Sequence, residues 1–408
     1  MFFADFKQIR TGFPVFWIKN RFFYKFMRIF LLRFADICGR LPDQEKRIVE
    51  INMSLDDLRK KIDEVDSRIV ALLNERYSTV LEIGKYKRDN MKAVYVPERE
   101  KMVFDKVAAL NRGPMKPETL RAIYREIMSG ALSLEHPLTV SYLGPEGTFS
   151  HIAAVTKFGH SIAFLAQNTI DDIFSAVAGG EADYGCVPIE NSSEGAVNLT
   201  LDMFTRSKVQ ICSEINLRVH QSLLAKCELK DVRALYSHAQ SLAQCRTWVN
   251  ENLPDVEIHE CVSNAKAASI AAREPGAAAI AHVFNSELYG LKVLSENIED
   301  NPHNTTRFLV IGSQVPKRTG CDKTSICFAL KDRVGVLFDA LLPFKEEQIT
   351  LSMIESRPSK LQNWEYYFFI DLHGHQEDEN VARALEKLRP MTQALRILGS
   401  YPRGEETK

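Results

Sequence analysis

The chain lacks most of the features that would mark a nucleic-acid-binding, membrane-spanning or disulfide-built protein. Lys and Arg (52) nearly balance Asp and Glu (53), leaving a formal net charge of −1 over 408 residues. No nucleic-acid partner is expected from such a balance, and any cationic site has to be local. No apolar run reaches the ~18 residues that a membrane span needs. The eight cysteines form no C-x-x-C pair and no metal-ligand spacing, so reduced, buried thiols in a cytoplasmic protein are expected, and no metal. There is no Walker or dinucleotide fingerprint, no H-E-x-x-H and no G-x-S-x-G. These absences remove the nucleotide, zinc-peptidase and serine-hydrolase signatures.

The first 52 residues differ from the rest. They hold ten of the 23 phenylalanines, ten Lys/Arg, five Asp/Glu and no serine. Lys25, Arg28 and Arg33 interrupt the apolar stretch, and neither a secretory signal nor a transit peptide fits. Residues 1–52 are read as an extension without a catalytic role, with Met53 an alternative start. A basic aromatic helix over 22–34 lying on a membrane surface is the competing reading.

Residues 54–89 have the pattern of one long helix. Leu55, Leu58, Ile62, Val65, Ile69, Leu72 and Leu73 recur at three- and four-residue steps, continued by Val80 and Ile83. Ser54 is placed to cap it, with Asp56 and Asp57 in the first turn. Further helices are expected over 97–111 and 117–135. A first helix ~50 Å long cannot bury its stripe against two short ones, so an intertwined dimer is expected. From Leu138 the pattern becomes α/β, with strands at 139–143, near Phe164, and at 184–188, 210–219, 233–237, 256–262 and 277–281. P-K-R-T-G near residue 320 reads as a linker. A βαββαβ unit follows: strand 324–330, helix 334–345, strands 349–355 and 365–371, helix 377–389, strand 393–398. The domain limits read from these shifts are 1–52, 53–136, 138–315 and 323–400.

In the helical unit, Arg76 and Lys87 are 11 residues apart, which is three turns to within about 20°, so they share a face ~16 Å apart along the axis. Two long cationic side chains at that spacing can pinch a small dianion. Arg59 lies ~25 Å from Arg76 along the helix and can serve only a partner chain's site. The runs L-D-D-L-R-K-K-I-D-E-V-D, L-L-N-E-R, G-K-Y-K and P-E-R-E, over residues 54–135, resemble the all-helical class of chorismate mutase. That resemblance implies that Arg59 of the partner, Arg76 and Arg99 hold the carboxylates of chorismate. Lys87 would donate to the ether oxygen, Glu100 would accept the substrate hydroxyl, and Glu135 would face the ether oxygen opposite Lys87. Such a rearrangement needs a held conformer and stabilised oxygen charge, with no nucleophile, metal or cofactor. Some members carry glutamine at the Glu135 position and aspartate where Val96 stands. A glutamate donates only when protonated, so mutase activity is expected to fall as pH rises.

In the α/β unit, five short polar runs sit at strand ends: G-P-E-G-T-F-S (144–150), V-P-I-E-N-S (187–192), S-H-A-Q (237–240) with Gln244, S-N-A (263–265) and N-T-T-R-F (304–308). Turns of this kind leading into helices make anion sites from backbone N–H groups. Together they resemble prephenate dehydratase over residues 138–313. The resemblance implies two α/β lobes around a cleft, as in type II periplasmic binding proteins. Thr306 would be the catalytic hydroxyl, with Arg307 and Phe308 beside it, and Asn191, Ser192, Ser237, His238 and Gln244 would line the cleft for prephenate. S-N-A departs from the S-T of many members and is given no role.

Residues 323–400 resemble an ACT domain through K-D-R-V-G-V-L-F-D-A-L-L (331–342), E-S-R-P (355–358) and W-E-Y-Y-F-F-I-D (364–371). In such dehydratases these runs form an inter-subunit L-phenylalanine site, here Gly335, Val336, Leu337, Glu355, Ser356 and Arg357. Gly335 is expected to allow close backbone approach, and Val336 replaces a common alanine. The whole reads as a bifunctional chorismate mutase/prephenate dehydratase: a homodimer or higher homo-oligomer, without cofactor, feedback-inhibited by phenylalanine. A ligand-binding regulator with one decayed catalytic unit, and an arogenate dehydratase, are the competing readings.

Overall fold

The computed structural model describes residues 54–90, 93–331, 333–358, 366–404 and 406–407. The expected extension 1–52, the surface helix over 22–34 and the start at Met53 lie outside the described residues. Two compact units meet in sequence between Arg76 and Tyr77. The long helix α1 (Leu55–Asp89) begins in the first. Ser54 Oγ accepts from Asp57 N at 3.1 Å, the expected cap. The stripe of this first unit stays open to solvent, with Leu55 at 63% and Ile62 at 60% exposure.

In the second unit, α1 ends beside α2 (Pro97–Leu110) and α3 (Pro117–Glu135), both with proline in the first turn, where no N–H is needed. Tyr77 Oη donates to Ile127 O at 3.1 Å. Gly84 is required by close approach, since a Cβ there would lie 2.7 Å from Glu135 Cγ.

The α/β part begins with β1 (Thr139–Leu143), α4 (Phe149–Phe158), β2 (Ala163–Gln167), α5 (Ile170–Ala178), β3 (Tyr184–Asn191), β4 (Gly195–Ala196), α6 (Asn198–Arg206) and β5 (Gln210–Arg218). The chain then enters a second sheet: β6 (Ser222–Ala225), β7 (Ala234–Ser237), α7 (Ala239–Gln244), α8 (Arg246–Asn252), β8 (Glu257–Glu260), α9 (Asn264–Ala271), β9 (Ala277–Ala281), α10 (Phe284–Tyr289) and β10 (Lys292–Ser295). It returns to the first sheet as β11 (Thr305–Gly312). The sheet orders are β16-β5-β11-β3-β1-β2, with β4 on β3, and β10-β6-β9-β7-β8. Two crossings therefore join two lobes, after β5 and before β11. They bond to one another, Val219 N to Asn304 O at 2.9 Å. In the second lobe β9 reads A-A-A-I-A, and α9 packs alanines (Ala267, Ala268, Ala271) against it. Small residues on both sides let helix and sheet approach closely.

The C-terminal unit is β12 (Asp322–Leu330), α11 (Val336–Glu346), β13 (Leu351–Pro358), β14 (Tyr366–His373), α12 (Glu379–Leu388) and β15 (Ala394–Pro402), the expected βαββαβ. Its antiparallel sheet runs β13-β14-β12-β15, and β16 (Glu406–Thr407) pairs back onto β5. One sheet face packs Ile326, Phe328 and Ile370 on its own helices. The other sends Cys327, Phe369 and Tyr401 into the core of the first lobe, with Phe174, Leu201 and Phe204. Alternation along each strand thus divides one sheet between two cores. Among the described residues no helix is long and apolar enough to cross a membrane.

Candidate active sites

The lobe crossings define a cavity of about 200 Å³, lined by Thr148, Asn191, Gln221, His238, Ser241, Gln244, Asn264, Asn304 and Thr306, among others. Its size suits a small ligand. Thr306 opens β11 opposite Asn191 of β3. Asn191 Nδ2 donates to Thr306 Oγ1 at 2.8 Å and to Asn304 Oδ1 at 3.0 Å. The Asn191 amide is oriented from behind, because its Oδ1 accepts from Ser193 N (2.9 Å) and Glu194 N (3.2 Å). Thr306 therefore accepts within the protein and keeps its one proton for a ligand. On the opposite lobe Ser241 Oγ accepts from Gln221 Nε2 (2.9 Å) and Asn264 Nδ2 (2.7 Å), and Asn264 Oδ1 accepts from His238 N (3.0 Å).

Two helices open onto the same cavity: α4, capped by Thr148, and α9, capped by Ser263. First-turn N–H groups have no acceptor inside their helix and favour anions. Among the described residues no Lys or Arg lines the cavity. The arrangement can hold a small anion by neutral donors and present one hydroxyl proton to it. Among the described residues no group of three His, Cys, Asp or Glu could hold a metal ion.

A larger cavity, about 690 Å³, lies between α2, α3 and the first lobe. Several of its charges pair within its own wall, Lys101 with Asp105 and Lys157 with Glu100.

In the helical unit Lys87 Nζ lies 2.7 Å from Glu135 Oε1 and donates to Val94 O at 2.7 Å. Arg88 Nη1 donates to Glu135 O at 2.8 Å. Glu100 Oε2 accepts from Tyr95 Oη (2.9 Å) and from Lys157 Nζ (2.6 Å) on α4. Tyr95 is buried between Phe158 and Tyr184, and burial above all raises its phenol well beyond the ordinary value. In the first unit, Arg76 has a buried Nη1 without a hydrogen-bond partner, and Arg59 is exposed beside Asp56.

Three families match the chain in order: Chorismate mutase type II over residues 58–136, Prephenate dehydratase over 140–316 and ACT domain over 325–390. A protein of Aquifex aeolicus (strain VF5) named bifunctional chorismate mutase/prephenate dehydratase is 46% identical over 354 residues, 86% of this chain and 98% of its own. The chain belongs to the bifunctional chorismate mutase/prephenate dehydratase family.

Rearrangement of chorismate and decarboxylating dehydration of prephenate are therefore both activities of this chain. Among solved structures, a prephenate dehydratase from Arthrobacter aurescens in complex with L-Phe is 36% identical, with a TM-score of 0.62 over 66% of this chain and 91% of its own. That of Staphylococcus aureus is 29% identical, with a TM-score of 0.58 over 65% and 100%.

Against this family frame, the structure brings together only part of the expected dehydratase set. Asn191, His238, Gln244 and Thr306 line the cavity. Ser192 stands just behind, accepting from Thr305 N at 3.0 Å, and Ser237 is buried, donating to His238 O at 3.1 Å. Phe308 is buried in the first-lobe core. Arg307 is turned away altogether, because successive residues of a strand point to opposite faces. Its Nε donates to Glu214 Oε2 at 2.7 Å behind the sheet. Gln221, Ser241 and Asn264 join the cavity without having been assigned. Asn264 stood in the S-N-A run, but no pattern marked Gln221.

The effector set is also divided. Gly335 has a left-handed φ of 78°, which favours glycine. Val336 and Leu337 pack against the C-terminal core. On the edge strand β13, Glu355 and Arg357 point one way and Ser356 the other, in the alternation of exposure along the strand. Arg357 forms a forked pair with Asp202 of α6, with three N···O distances of 3.1–3.2 Å.

Proposed function

We propose that the two reactions run at separate places, residues 53–136 for the mutase and 138–315 for the dehydratase, with residues 323–400 sensing the product. In the mutase, Arg76 and Arg99, with Arg59 of a second copy, hold the two carboxylates of chorismate. Lys87 donates to the ether oxygen as charge grows there, Glu135, 2.7 Å from Lys87, faces the same oxygen and donates to it when protonated, and Glu100 receives the substrate hydroxyl. The ungratified Arg76 nitrogen suits an anionic ligand. The open apolar stripe of α1 supports a homodimer as the smallest working form.

In the dehydratase, the observation that carries the reading is the Asn191–Thr306 hydrogen bond, which reserves the threonine proton for the cavity. Prephenate loses a ring hydroxyl as water and a carboxylate as CO₂ while the ring becomes aromatic. Thr306 donates to the departing hydroxyl, and the Thr148 and Ser263 helix ends with His238 and Gln244 hold the remaining anion. L-phenylalanine is the effector, bound between subunits by the Gly335, Val336 and Leu337 turn and the Glu355, Ser356 and Arg357 strand. We assign the protein to the cytoplasm, where buried thiols such as Cys186 and Cys212 stay reduced.

Thr306→Ala tests the assignment. Phenylpyruvate formation from chorismate should be lost while prephenate still accumulates at the unaltered rate. Undiminished phenylpyruvate would remove Thr306 from the mechanism.

A further inference from the structure

Arg307 follows Thr306 on β11, yet its guanidinium sits behind the sheet at the junction with the C-terminal unit. Besides the bond to Glu214, Nη1 pairs with Asp371 of β14 and Nη2 donates to Tyr401 Oη of β15 at 3.0 Å. Glu214, on the adjoining strand β5, also accepts from Lys323 Nζ of β12 at 2.8 Å and from Gly404 N at 2.9 Å. Ser325 Oγ donates to Asp371 and lies 2.6 Å from Tyr401 Oη. The dehydratase lobe contributes Arg307 and Glu214, and the C-terminal unit the rest. Arg307, Glu214, Lys323, Ser325, Asp371 and Tyr401 are all buried, and the half-exposed Glu190 of β3 lies 4.0 Å from Arg307 Nη1 at the edge of the cluster. Burial alone would raise the Glu214 carboxyl, but Arg307 and Lys323 outweigh it and hold it below its usual value.

A buried ion cluster is a poor choice for stability alone, because apolar residues of similar volume do as well or better. Its position supplies another reason. The β5–β11 ladder runs regularly from Thr305 to Val310, but on the β3 side the register shifts between Arg307 and Phe308, next to Thr306. A side chain gripped from two strands of another unit adds a restraint on the side where the ladder is irregular. Met353 of β13, two residues before Glu355, also reaches Arg307, with Sδ 3.9 Å from Nη1.

We infer that Arg307 is a positioning residue for the dehydratase: through Asp371 and Tyr401 the C-terminal unit holds β11, and thereby the Thr306 hydroxyl, in register with the cleft. The C-terminal unit is then part of the dehydratase's working structure, in addition to any sensing. The inference rests on the assignment of Thr306 above.

The test uses the full-length protein, measuring kcat and KM for prephenate together with mutase turnover and melting temperature on each preparation. Asp371→Asn keeps an acceptor for Ser325 but removes the charge that holds Arg307. An ångström of misplacement costs about a hundredfold, so a ten- to hundredfold fall in kcat is expected, with KM changed by less than about threefold and the mutase unaltered. The second variant, Arg307→Met with Asp371→Leu, replaces the pair by apolar volume and leaves Glu214 with Lys323. It should melt near the wild-type temperature and still show the low kcat. Recovery of kcat along with stability would reduce the cluster to a structural role and overturn the inference, as would full kcat in Asp371→Asn. Thr306→Val separates the two readings. If it still turns over, the Thr306 assignment fails; if it is inactive while Asp371→Asn is fully active, only the positioning role fails.

Discussion

Replacing Asn191 by aspartate should damage the dehydratase more than removing the side chain does. The wild-type amide donates to Thr306 Oγ1 at 2.8 Å, leaving the hydroxyl proton to the cleft. An aspartate can still accept from Ser193 N and Glu194 N, so the turn after β3 keeps its bonds. Its second oxygen, however, can only accept. It would draw the Thr306 proton away from the substrate into a charge-assisted hydrogen bond. Losing one preorganised donor of this kind costs about 2.7–4 kcal/mol, or 10²–10³ in kcat. Asn191→Ala leaves the proton free but the hydroxyl unheld, and about a tenfold loss is expected from imperfect orientation. The order of kcat is therefore wild type, then Ala, then Asp. Phenylpyruvate formation from prephenate measures it, with mutase turnover of the same sample reporting an intact chain. An aspartate variant as fast as the alanine variant, or faster, would refute the proton-direction argument.

Glu135→Gln should flatten the expected fall of mutase rate with rising pH, because an amide donates at every pH; a pH–rate profile unchanged from wild type removes Glu135 from the chemistry. His282 is held at about 4, by burial first and by His220 second, against an ordinary 6.5. The unfolded chain takes up that proton between pH 6.5 and 4 and the folded chain does not, so folding loses about 2–3 kcal/mol as pH falls through this window. His282→Asn, which retains an acceptor for Phe284 N, should shrink that loss in pH-dependent urea melts, and an unaltered acid limb contradicts it. Arg357→Ala and Asp202→Ala should not be additive: a double-mutant cycle on stability is expected to give about 1–2 kcal/mol of coupling, and a value near zero means that the forked pair does not hold α6 to β13.

The parts legible in the sequence were those with a strong local period or cap. The α1 stripe, the Thr148 turn and the βαββαβ order each rest on residues close in the chain. Strands β6 and β10 escaped because S-L-L-A and K-V-L-S are four residues long and carry no alternation. Their absence hid the lobe crossings, and with them Gln221, which reaches the cavity only because the chain changes sheets beside it. The family resemblance had set Arg307 beside Thr306 in the cleft, whereas strand alternation puts it on the far face. The same alternation separates Ser356 from Glu355 and Arg357. Motif neighbours shared a run in these cases without sharing a site.

The absence of Lys and Arg from the described lining of the cleft suits the carboxylate that departs. In the mutase both carboxylates of the substrate survive the rearrangement, so arginines can grip them equally before and during bond exchange without opposing it. In the dehydratase one carboxylate must give up its charge as it becomes CO₂. A fixed cation on that group would stabilise the substrate more than the transition state and raise the barrier. Neutral hydroxyl, amide and helix-end donors avoid that penalty, while still favouring the hydroxyl oxygen, where negative charge increases as it leaves. The arginine that follows Thr306 in sequence, Arg307, is on the other side of the sheet, paired with Glu214 and Asp371. Strand alternation lets two consecutive residues serve opposite electrostatic needs, with no cationic side chain facing the cavity.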